Sequence, residues 1–239
     1  MKENNFASLD EFQTTIGYRF KDISLLTLAL THSSFANETK SRTQNGKCNE
    51  RLEFLGDSVL SFLCAEYIYT KYPDMPEGNM SKLRACAVES ASLAEYSTKI
   101  GVGKYLLLGH GEDTEAGRRR TSTLENAFEA LTAAIFLDGG LVEAAKFAMP
   151  FLTEKVKERE ERGDTQDYKT KLQQIIQMER GERLEYVKVS ESGPDHDKTY
   201  VCEARLNSNV IGVGEGKSKK AAEQIAAMNA LRDYFGIDK

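Results

Sequence analysis

The stretch that decides the fold reads NERLEFLGDSVL at residues 49–60. Its acids Glu50, Glu53 and Asp57 are three and four residues apart, so on one helix they share a face, with neighbouring Cβ atoms about 5–6 Å apart. Apolar spacing continues beyond the stretch and predicts one long helix ending at Lys71. Acids that share a partly buried face repel one another and resist desolvation. The pattern alone therefore allows two interpretations, a cation site and an ordinary surface helix whose acids face water.

A second set of oxygen-bearing side chains lies on another predicted helix, residues 122–137. Asn126 and Glu129 are three residues apart and share a face, and Glu125 precedes them. Two helices that each offer oxygen ligands from an otherwise apolar surface can form a metal site between them, and Mg²⁺ or Mn²⁺ prefers such ligands. Gly56, in the middle of the first helix, costs up to about 1 kcal/mol relative to Ala. A glycine at that position indicates that a backbone or a ligand approaches closely.

Length and composition indicate a globular protein of one large domain or two ordinary ones. The chain has 239 residues, of which 40% are apolar and 29% charged, and it contains no Trp. Its first residues lack the layout of a signal peptide, and no apolar run approaches the roughly 20 residues that span a bilayer. No CxxC pair occurs, so plain thiols are expected rather than a zinc site. These features predict a cytoplasmic protein that does not enter a membrane.

The charge is unevenly distributed along the chain. The net charge is −5, which by itself argues against a nucleic-acid partner. Residues 1–166 carry this whole excess, whereas acids and bases balance in residues 167–236. A neutral segment can bind RNA if its cations lie on one face, and an acidic segment can approach phosphates if metal ions neutralise its carboxylates. A nucleic-acid partner is therefore compatible with the composition.

The apolar periodicity divides the chain into two domains joined by a linker. Residues 1–154 are predicted to be mostly helical, with helices beginning near Leu9 and Ile23 and others at 79–100, 122–137 and 141–151. Asp22 or Ser24 is expected to cap the second helix. Two segments are predicted loops, 38–48 and 109–121, and the second holds an Arg118-Arg119-Arg120 run that either faces solvent or contacts phosphate. The polar residues 155–166 are predicted to be a linker that begins with a frayed helix end.

Residues 167–236 change to a pattern of one helix, three strands and a second helix. Helices are predicted at 168–180 and 218–235, and strands at 184–189, 199–206 and 210–214. This order suits a small α+β domain with both helices on one face of an antiparallel sheet. The predicted fold class is therefore an all-α domain followed by a small α+β (α-β-β-β-α) domain.

Residues 49–60 resemble the signature of the ribonuclease III family almost residue for residue. Further stretches resemble the family's other motifs in the same order, namely ALTHSS at 29–34, EGNMSKLR at 77–84, LLGHGE at 107–112, FEAL at 128–131 and LDGG at 137–140. Chance is a poor explanation for matches over nearly the whole helical region. The resemblance implies a metal-dependent endoribonuclease that hydrolyses phosphodiester bonds in double-stranded RNA. It also implies a homodimer whose products carry 5′-phosphate and 3′-hydroxyl ends with short 3′ overhangs.

The resemblance also implies which residues form the site. The family's metal ligands fall on Glu53, Asp57, position 126 and Glu129, and Glu50 belongs to the same signature and supplements the catalytic set. Asp57 and Glu129 are expected at the catalytic centre, as ligands of metal and of the attacking water, with Mg²⁺ as cofactor and Mn²⁺ as a possible substitute. No small-molecule cofactor is expected.

Position 126 departs from the family pattern, because the family usually has Asp there and this chain has Asn126. An amide oxygen can coordinate a hard cation but brings no negative charge. Three interpretations follow: a natural active variant, an Asp→Asn change made to slow catalysis, or a metal site lost to drift. The first is preferred, because the other three acids are intact.

The apolar side chains of the first carboxylate helix have two possible roles. By the resemblance they form the dimer face, but they are equally explained as the core of one subunit. The residues concerned are Phe54, Leu55, Val59 and Phe62.

The C-terminal region resembles a double-stranded RNA-binding domain. The stretches concerned are DYKTKLQQ at 167–174, GPDH at 193–196 and GEGKSKKAAE at 214–223. Such domains span about 16 base pairs and recognise the duplex largely by shape. The resemblance places Thr170, Gln173 and Gln174 at one minor groove and His196 at the other.

A physical argument supports the last of these stretches independently. Lys217, Lys219 and Lys220 lie at the start of a predicted helix, where free N–H groups and the helix dipole already favour phosphate. Ser218 is expected to cap that helix.

Three functional hypotheses follow from these motifs. The leading one is an endonuclease for structured RNA, with ribosomal RNA precursors and structured transcripts as natural substrates. The second is a duplex-binding protein with an impaired site, which is suggested by Asn126. The third is a structural partner of the ribosome, which would require binding that does not depend on a duplex.

Overall fold

The computed structural model describes residues 5–39, 47–161, 168–177, 182–194 and 197–237. The chain forms two compact units whose main boundary lies between Val156 and Lys157. The first unit is helical, and the second combines two helices with a three-stranded sheet. The predicted fold class is confirmed.

The described part of the first unit contains nine α-helices and one short 3₁₀ helix, Val102–Lys104. The α-helices are α1 Asn5–Thr15, α2 Ile23–Ala29, α3 Ser33–Thr39, α4 Glu50–Lys71, α5 Glu77–Ala87, α6 Ser90–Lys99, α7 Glu115–Arg118, α8 Thr121–Gly139 and α9 Leu141–Glu161. The predicted bounds of α4 are confirmed, as is the cap of α2, where Asp22 accepts from the backbone N–H of Ser24 at 2.9 Å.

Other helix predictions are corrected by the structure. The single helix predicted at 79–100 is two helices separated at Val88 and Glu89. Helices α3 and α7 were not predicted, because both are too short to show a periodic pattern. Helix α9 continues ten residues past its predicted end, to Glu161, and residues 162–166 of the predicted linker lie outside the described residues.

Helix α8 forms the centre of the first unit. All nine consecutive residues from Ala127 to Ile135 are buried, as expected for a helix that is enclosed on all sides. The ring of Phe128 packs against Tyr96 of α6 and Phe147 of α9, with centroids 5.3 and 5.1 Å apart. These contacts hold α8 between its neighbours and fix the orientation of its polar residues.

Helix α4 crosses α8 at Gly56, and there the two backbones touch. A Cβ atom at this position would overlap the carbonyl group of Glu129. The expected reason for a mid-helix glycine is thereby confirmed. The crossing also places Glu53 and Asp57, which lie within a turn of Gly56, beside helix α8.

The start of α4 is held by buried hydrogen bonds to a distant loop. Asn49 is 2% exposed, and its backbone N–H donates to Thr31 at 2.9 Å. Its backbone carbonyl accepts from the N–H groups of Leu52 and Glu53 at 2.8 Å. Thr31 also pairs with Leu107 through a parallel bridge, so three of the sequence motifs meet at this point. The position of the first carboxylates is thus set by backbone contacts.

The second unit consists of α10 Tyr168–Gln177, the strands β1 Leu184–Ser192, β2 Thr199–Leu206 and β3 Asn209–Gly216, and α11 Lys219–Asp233. The strands form an antiparallel sheet in the order β1-β2-β3. Leu172 of α10 and Ala204 of β2 share a buried core with the alanines of α11. Cβ atoms at Gly212 and Gly214 would overlap the α11 backbone. The glycines of β3 and the alanines of α11 therefore allow the strand and the helix to pack closely.

Two chain-wide features complete the fold. The four cysteines, Cys48, Cys64, Cys86 and Cys202, are free thiols, as predicted. Within the described residues, no helix is both long enough and apolar enough to cross a bilayer.

We expect Gly56→Ala to destabilise the protein by at least about 1–3 kcal/mol, the usual cost of forcing extra atoms into a packed contact. The free energy of unfolding in urea measures this change. Gly78→Ala is the matched control, because a Cβ atom at Gly78 in α5 meets no atom within 4 Å. The variant at Gly78 should be neutral or slightly stabilised. Equal stability of the two variants would show that α4 and α8 do not meet at Gly56.

Candidate active site

The three acids of α4 differ in their exposure. Glu50 and Asp57 are exposed, whereas Glu53 is half-buried between them. Burial raises the pKa of Glu53, and the negative charges of Glu50 and Glu125 raise it further. The influence of Glu125 links the acids of α4 with those of α8, the helix that α4 touches at Gly56.

Glu129 of α8 is the most strongly perturbed carboxyl group of this cluster. It is only 7% exposed. Burial and the nearby charges of Glu125, Asp57 and Glu53, in that order, raise its pKa to about 8. A group in this environment favours its neutral form unless a positive charge is brought beside it.

Two polar residues, Glu125 and Asn126, precede Glu129 on α8. Asn126 is half-buried, and in the described part of the chain its side chain has no hydrogen-bond partner. Glu125, also half-buried, accepts a hydrogen bond at 2.7 Å from the hydroxyl group of Ser90 at the start of α6. Sequence reasoning placed Glu125 near the cluster but gave it no role, and it missed Ser90. The position of Glu125 four residues before Glu129 was the available signal.

The acidic cluster consists of Glu50, Glu53, Asp57, Glu125 and Glu129. Among the described residues, none of its members forms an ion pair with a Lys, Arg or His side chain. Nor do any three His, Cys, Asp or Glu side chains of the described ranges converge closely enough to enclose an ion by themselves. Mutual repulsion accounts for carboxylates that influence one another without converging. The donors are all oxygen atoms, which suits a hard divalent cation.

The three arginines of the 109–121 segment are engaged within the protein. Arg118 pairs with Asp113 at 2.6 Å and donates to the carbonyls of Gly103 and Leu106. Arg119 pairs with Glu115 and Arg120 with Glu112. The run therefore holds its own segment in place.

The predicted phosphate-binding residues lie at the N-terminus of α11. Ser218 caps this helix by accepting from the N–H of Ala221 at 3.1 Å, as expected. Lys217 pairs with Asp197 at 2.7 Å, and Lys219 is 3.9 Å from Glu223. Lys220 is exposed and forms no ion pair within the described part of the chain. Lys217 and Lys219 thus lie beside acids of the same unit, and Lys220 is open to a phosphate.

Helix α10 presents its predicted RNA-binding residues to solvent. Thr170, Gln173 and Gln174 are all exposed. A contact that sequence reasoning missed joins the N-terminal ends of α10 and α11, because Lys169 pairs with Glu223 at 2.6 Å and lies over the ring of Tyr186. His196, which was predicted to contact a minor groove, lies outside the described residues.

The apolar side chains of α4 are divided between the core and the surface. Val59 is 7% exposed and belongs to the core, whereas Phe54 and Phe62 are 79% and 53% exposed. Leu55 is half-buried. The two phenylalanines therefore do not contribute to the core of this subunit.

Comparison with known families places a known domain on each unit. A Ribonuclease-III-like family model matches residues 22–156, and a double-stranded RNA binding motif matches residues 168–234. The first match contains the whole acidic cluster, and the second contains the α11 lysines.

Comparison with known proteins extends the likeness over nearly the full chain. The chain is 45% identical over 223 residues to Ribonuclease 3 of Caldanaerobacter subterraneus subsp. tengcongensis, covering 93% of this chain and 96% of that protein. It is 42% identical over 237 residues to Ribonuclease 3 of Pseudothermotoga lettingae, covering 99% and 100%. The nuclease domain of ribonuclease III from Campylobacter jejuni superposes with a TM-score of 0.55 at 34% identity, covering 62% of this chain and 97% of that domain. The chain therefore belongs to the ribonuclease III family, whose members are endoribonucleases that act on double-stranded RNA.

Proposed function

We propose that the protein hydrolyses both strands of an RNA duplex with the help of Mg²⁺ bound at the acidic cluster, leaving 5′-phosphate and 3′-hydroxyl ends with short 3′ overhangs. The observation that carries this proposal is the buried Glu129, which is surrounded by acids and has no cationic partner among the described residues. Ribosomal RNA precursors and structured transcripts are the substrates that we propose, and the cytoplasm is the compartment in which we expect them to be cut.

Each residue of the cluster has a proposed role. Glu53, Asn126 and Glu129 would hold the cation with their side-chain oxygens, and Asp57 and Glu129 would bind and orient the attacking water. Glu50, exposed on the same face of α4, would supplement the negative potential of the catalytic set. When bound, Mg²⁺ or Mn²⁺ supplies a water of lowered pKa and neutralises charge on the leaving 3′ oxygen.

The second unit would hold the duplex through two surfaces. The lysines at the N-terminus of α11, Lys217, Lys219 and Lys220, with the capped backbone at Ser218, would contact phosphates. Thr170, Gln173 and Gln174 of α10 would face one minor groove, and His196 would face the other. The tie between Lys169 and Glu223 supports this assignment, because it keeps the N-terminal ends of both helices together.

We further propose that the protein acts as a homodimer, in which each subunit cuts one strand. The related Campylobacter jejuni nuclease domain is described as having a region involved in dimer formation. The exposed Phe54 and Phe62 offer apolar surface on α4, and large exposed aromatic side chains are common at interfaces between proteins.

Duplex cleavage is the first test of this proposal. We expect the protein to cut a long RNA duplex in Mg²⁺ or Mn²⁺, and Glu129→Gln to lower the rate by more than about 100-fold, because a negative charge that would hold the cation and orient the attacking water is lost. Gel analysis of the products measures the rate, and a filter assay measures duplex binding, which should not change.

Glu66→Gln is the matched control, because Glu66 is an exposed acid further along α4. It should cut at the unaltered rate. A protein that binds the duplex but cuts it at no concentration of either metal ion would instead be a binding protein with an impaired site. Equal binding of single strands would favour the ribosome-associated structural partner.

The pKa of Glu129 predicts how the metal-free protein responds to pH. Between its ordinary value of 4.5 and about 8, the folded carboxyl holds a proton that the unfolded one has lost. Stability should therefore fall as pH rises through this range, by at most about 1.4 kcal/mol per pH unit. Urea denaturation with a chelator at several pH values measures this slope. Glu129→Gln should flatten it, and identical slopes for both proteins would contradict the assigned pKa.

Lys220→Ala should weaken duplex binding to a similar extent for every sequence and reduce the slope of log affinity against log salt by about one. The reason is that one phosphate contact and its released counterion are lost. Binding titrations at several salt concentrations measure both quantities. Arg183→Ala is the control, because Arg183 precedes β1 at the end of the sheet where Leu184 pairs with Leu206. Helix α11 and Lys220 begin near the opposite end, where Tyr200 pairs with Gly216. A smaller effect at Lys220 than at Arg183 would place the phosphates elsewhere.

A further inference from the structure

Helix α8 carries an uncharged residue, Asn126, at the position where the family motif has an acid. Asn126 offers an amide oxygen and no negative charge, so the family's ligand positions in this chain hold three carboxylates, Glu53, Asp57 and Glu129. The position is half-buried, and the amide has no hydrogen-bond partner among the described residues that would give it a structural role.

The neighbouring residue Glu125 offers a fourth carboxylate beside those of the three acidic ligand positions. It lies four residues before Glu129, so both side chains share a face of α8. The hydroxyl group of Ser90 holds its Oε1 atom at 2.7 Å, which restricts the rotamer of the side chain. Its Oε2 atom has no partner in the part of the chain that the structure describes, so it is available to a ligand.

Helices α4 and α8 touch at Gly56 and Glu129, and Glu125 lies one helical turn from this contact. After burial, its charge contributes most to the raised pKa of Glu129, more than Asp57 or Glu53. It also acts on Glu53 of α4. Glu129 itself is more than nine-tenths buried and has no ion-pair or hydrogen-bond partner for its carboxylate among the described residues, which indicates a ligand at this point.

We propose that Glu125, positioned by Ser90, supplies the fourth negative charge of the metal site in place of the acid that the family has at position 126. The three acidic ligand positions together with Glu125 then hold four carboxylates, the number in the family's set, with one of them moved by a single residue along α8. This proposal rests on the metal-dependent function proposed above and assigns it a ligand-binding residue specific to this chain.

The exchange of an acid at position 126 for Glu125 is tested by the binding of Mn²⁺ to the metal-free protein, which does not depend on catalysis. Free Mn²⁺ is measured by its electron paramagnetic resonance signal during titration. Glu125→Gln should weaken binding by about 10-fold or more. Glu66→Gln, which removes an acid from the exposed surface of α4, should bind as the unaltered protein does. An affinity within twofold of the unaltered protein for Glu125→Gln would overturn the proposal.

A double-mutant cycle with position 126 makes the test more specific. Asn126→Asp should restore the affinity of Glu125→Gln almost completely, and it should increase affinity less when Glu125 is present, because the two carboxylates replace each other. Equal gains in both backgrounds would overturn the exchange. Thermal unfolding of each metal-free variant checks folding, and Glu125→Gln should unfold at the same or a higher temperature because a repulsion is removed.

The role of Ser90 is tested by two further variants. Ser90→Ala should weaken Mn²⁺ binding, though less than Glu125→Gln does, and Ser90→Thr should recover it because the hydroxyl group is retained. Equal affinity of Ser90→Ala and the unaltered protein would overturn the positioning role. If the unaltered protein bound no Mn²⁺, the proposed metal site itself would fail, whereas unchanged binding in Glu125→Gln overturns only the exchange.

Discussion

The backbone contact between Gly56 and Glu129 is the constraint on which the catalytic region depends. It brings α4 and α8 closer than any pair of side chains would allow. Because Glu53 and Asp57 lie within one turn of Gly56, the contact sets their acids beside those of α8. The buried hydrogen bonds of Asn49 fix the start of α4 and thereby the register of this crossing. The geometry of the site therefore follows from helix packing, and it does not require the acids to attract one another.

The acids that would bind the metal ion also lower the stability of the metal-free protein. Acids that are buried together destabilise the folded state when no positive charge is near, and the raised pKa of Glu129 expresses that cost. A bound divalent cation would offset it, so the free energy lost in the metal-free protein is available as binding affinity. The packing of Phe128 against its aromatic neighbours provides the stability that tolerates such a cluster. Active sites commonly depend on this kind of support from the surrounding core.

Local patterns predicted well those features that local chemistry determines. The bounds of α4, the cap at Ser218 and the α-β-β-β-α order of the second unit were correct, because periodicity and capping are visible in short windows. The break between α5 and α6 was missed, since no glycine or proline marks Val88 and Glu89. The hydrogen bond from Ser90 to Glu125 joins residues 35 positions apart, and no local pattern indicates such a contact. The motifs predicted the site, but its long-range supports required the structure.

Whether a divalent cation binds between α4 and α8 is tested most directly by anomalous diffraction from crystals of the protein grown with Mn²⁺. We expect an anomalous peak between the two helices, in contact with carboxylate oxygens of Glu53, Asp57 and Glu129. A peak located elsewhere, or no peak at a saturating concentration while these carboxylates face solvent, would contradict the proposal that the acidic cluster is the metal site.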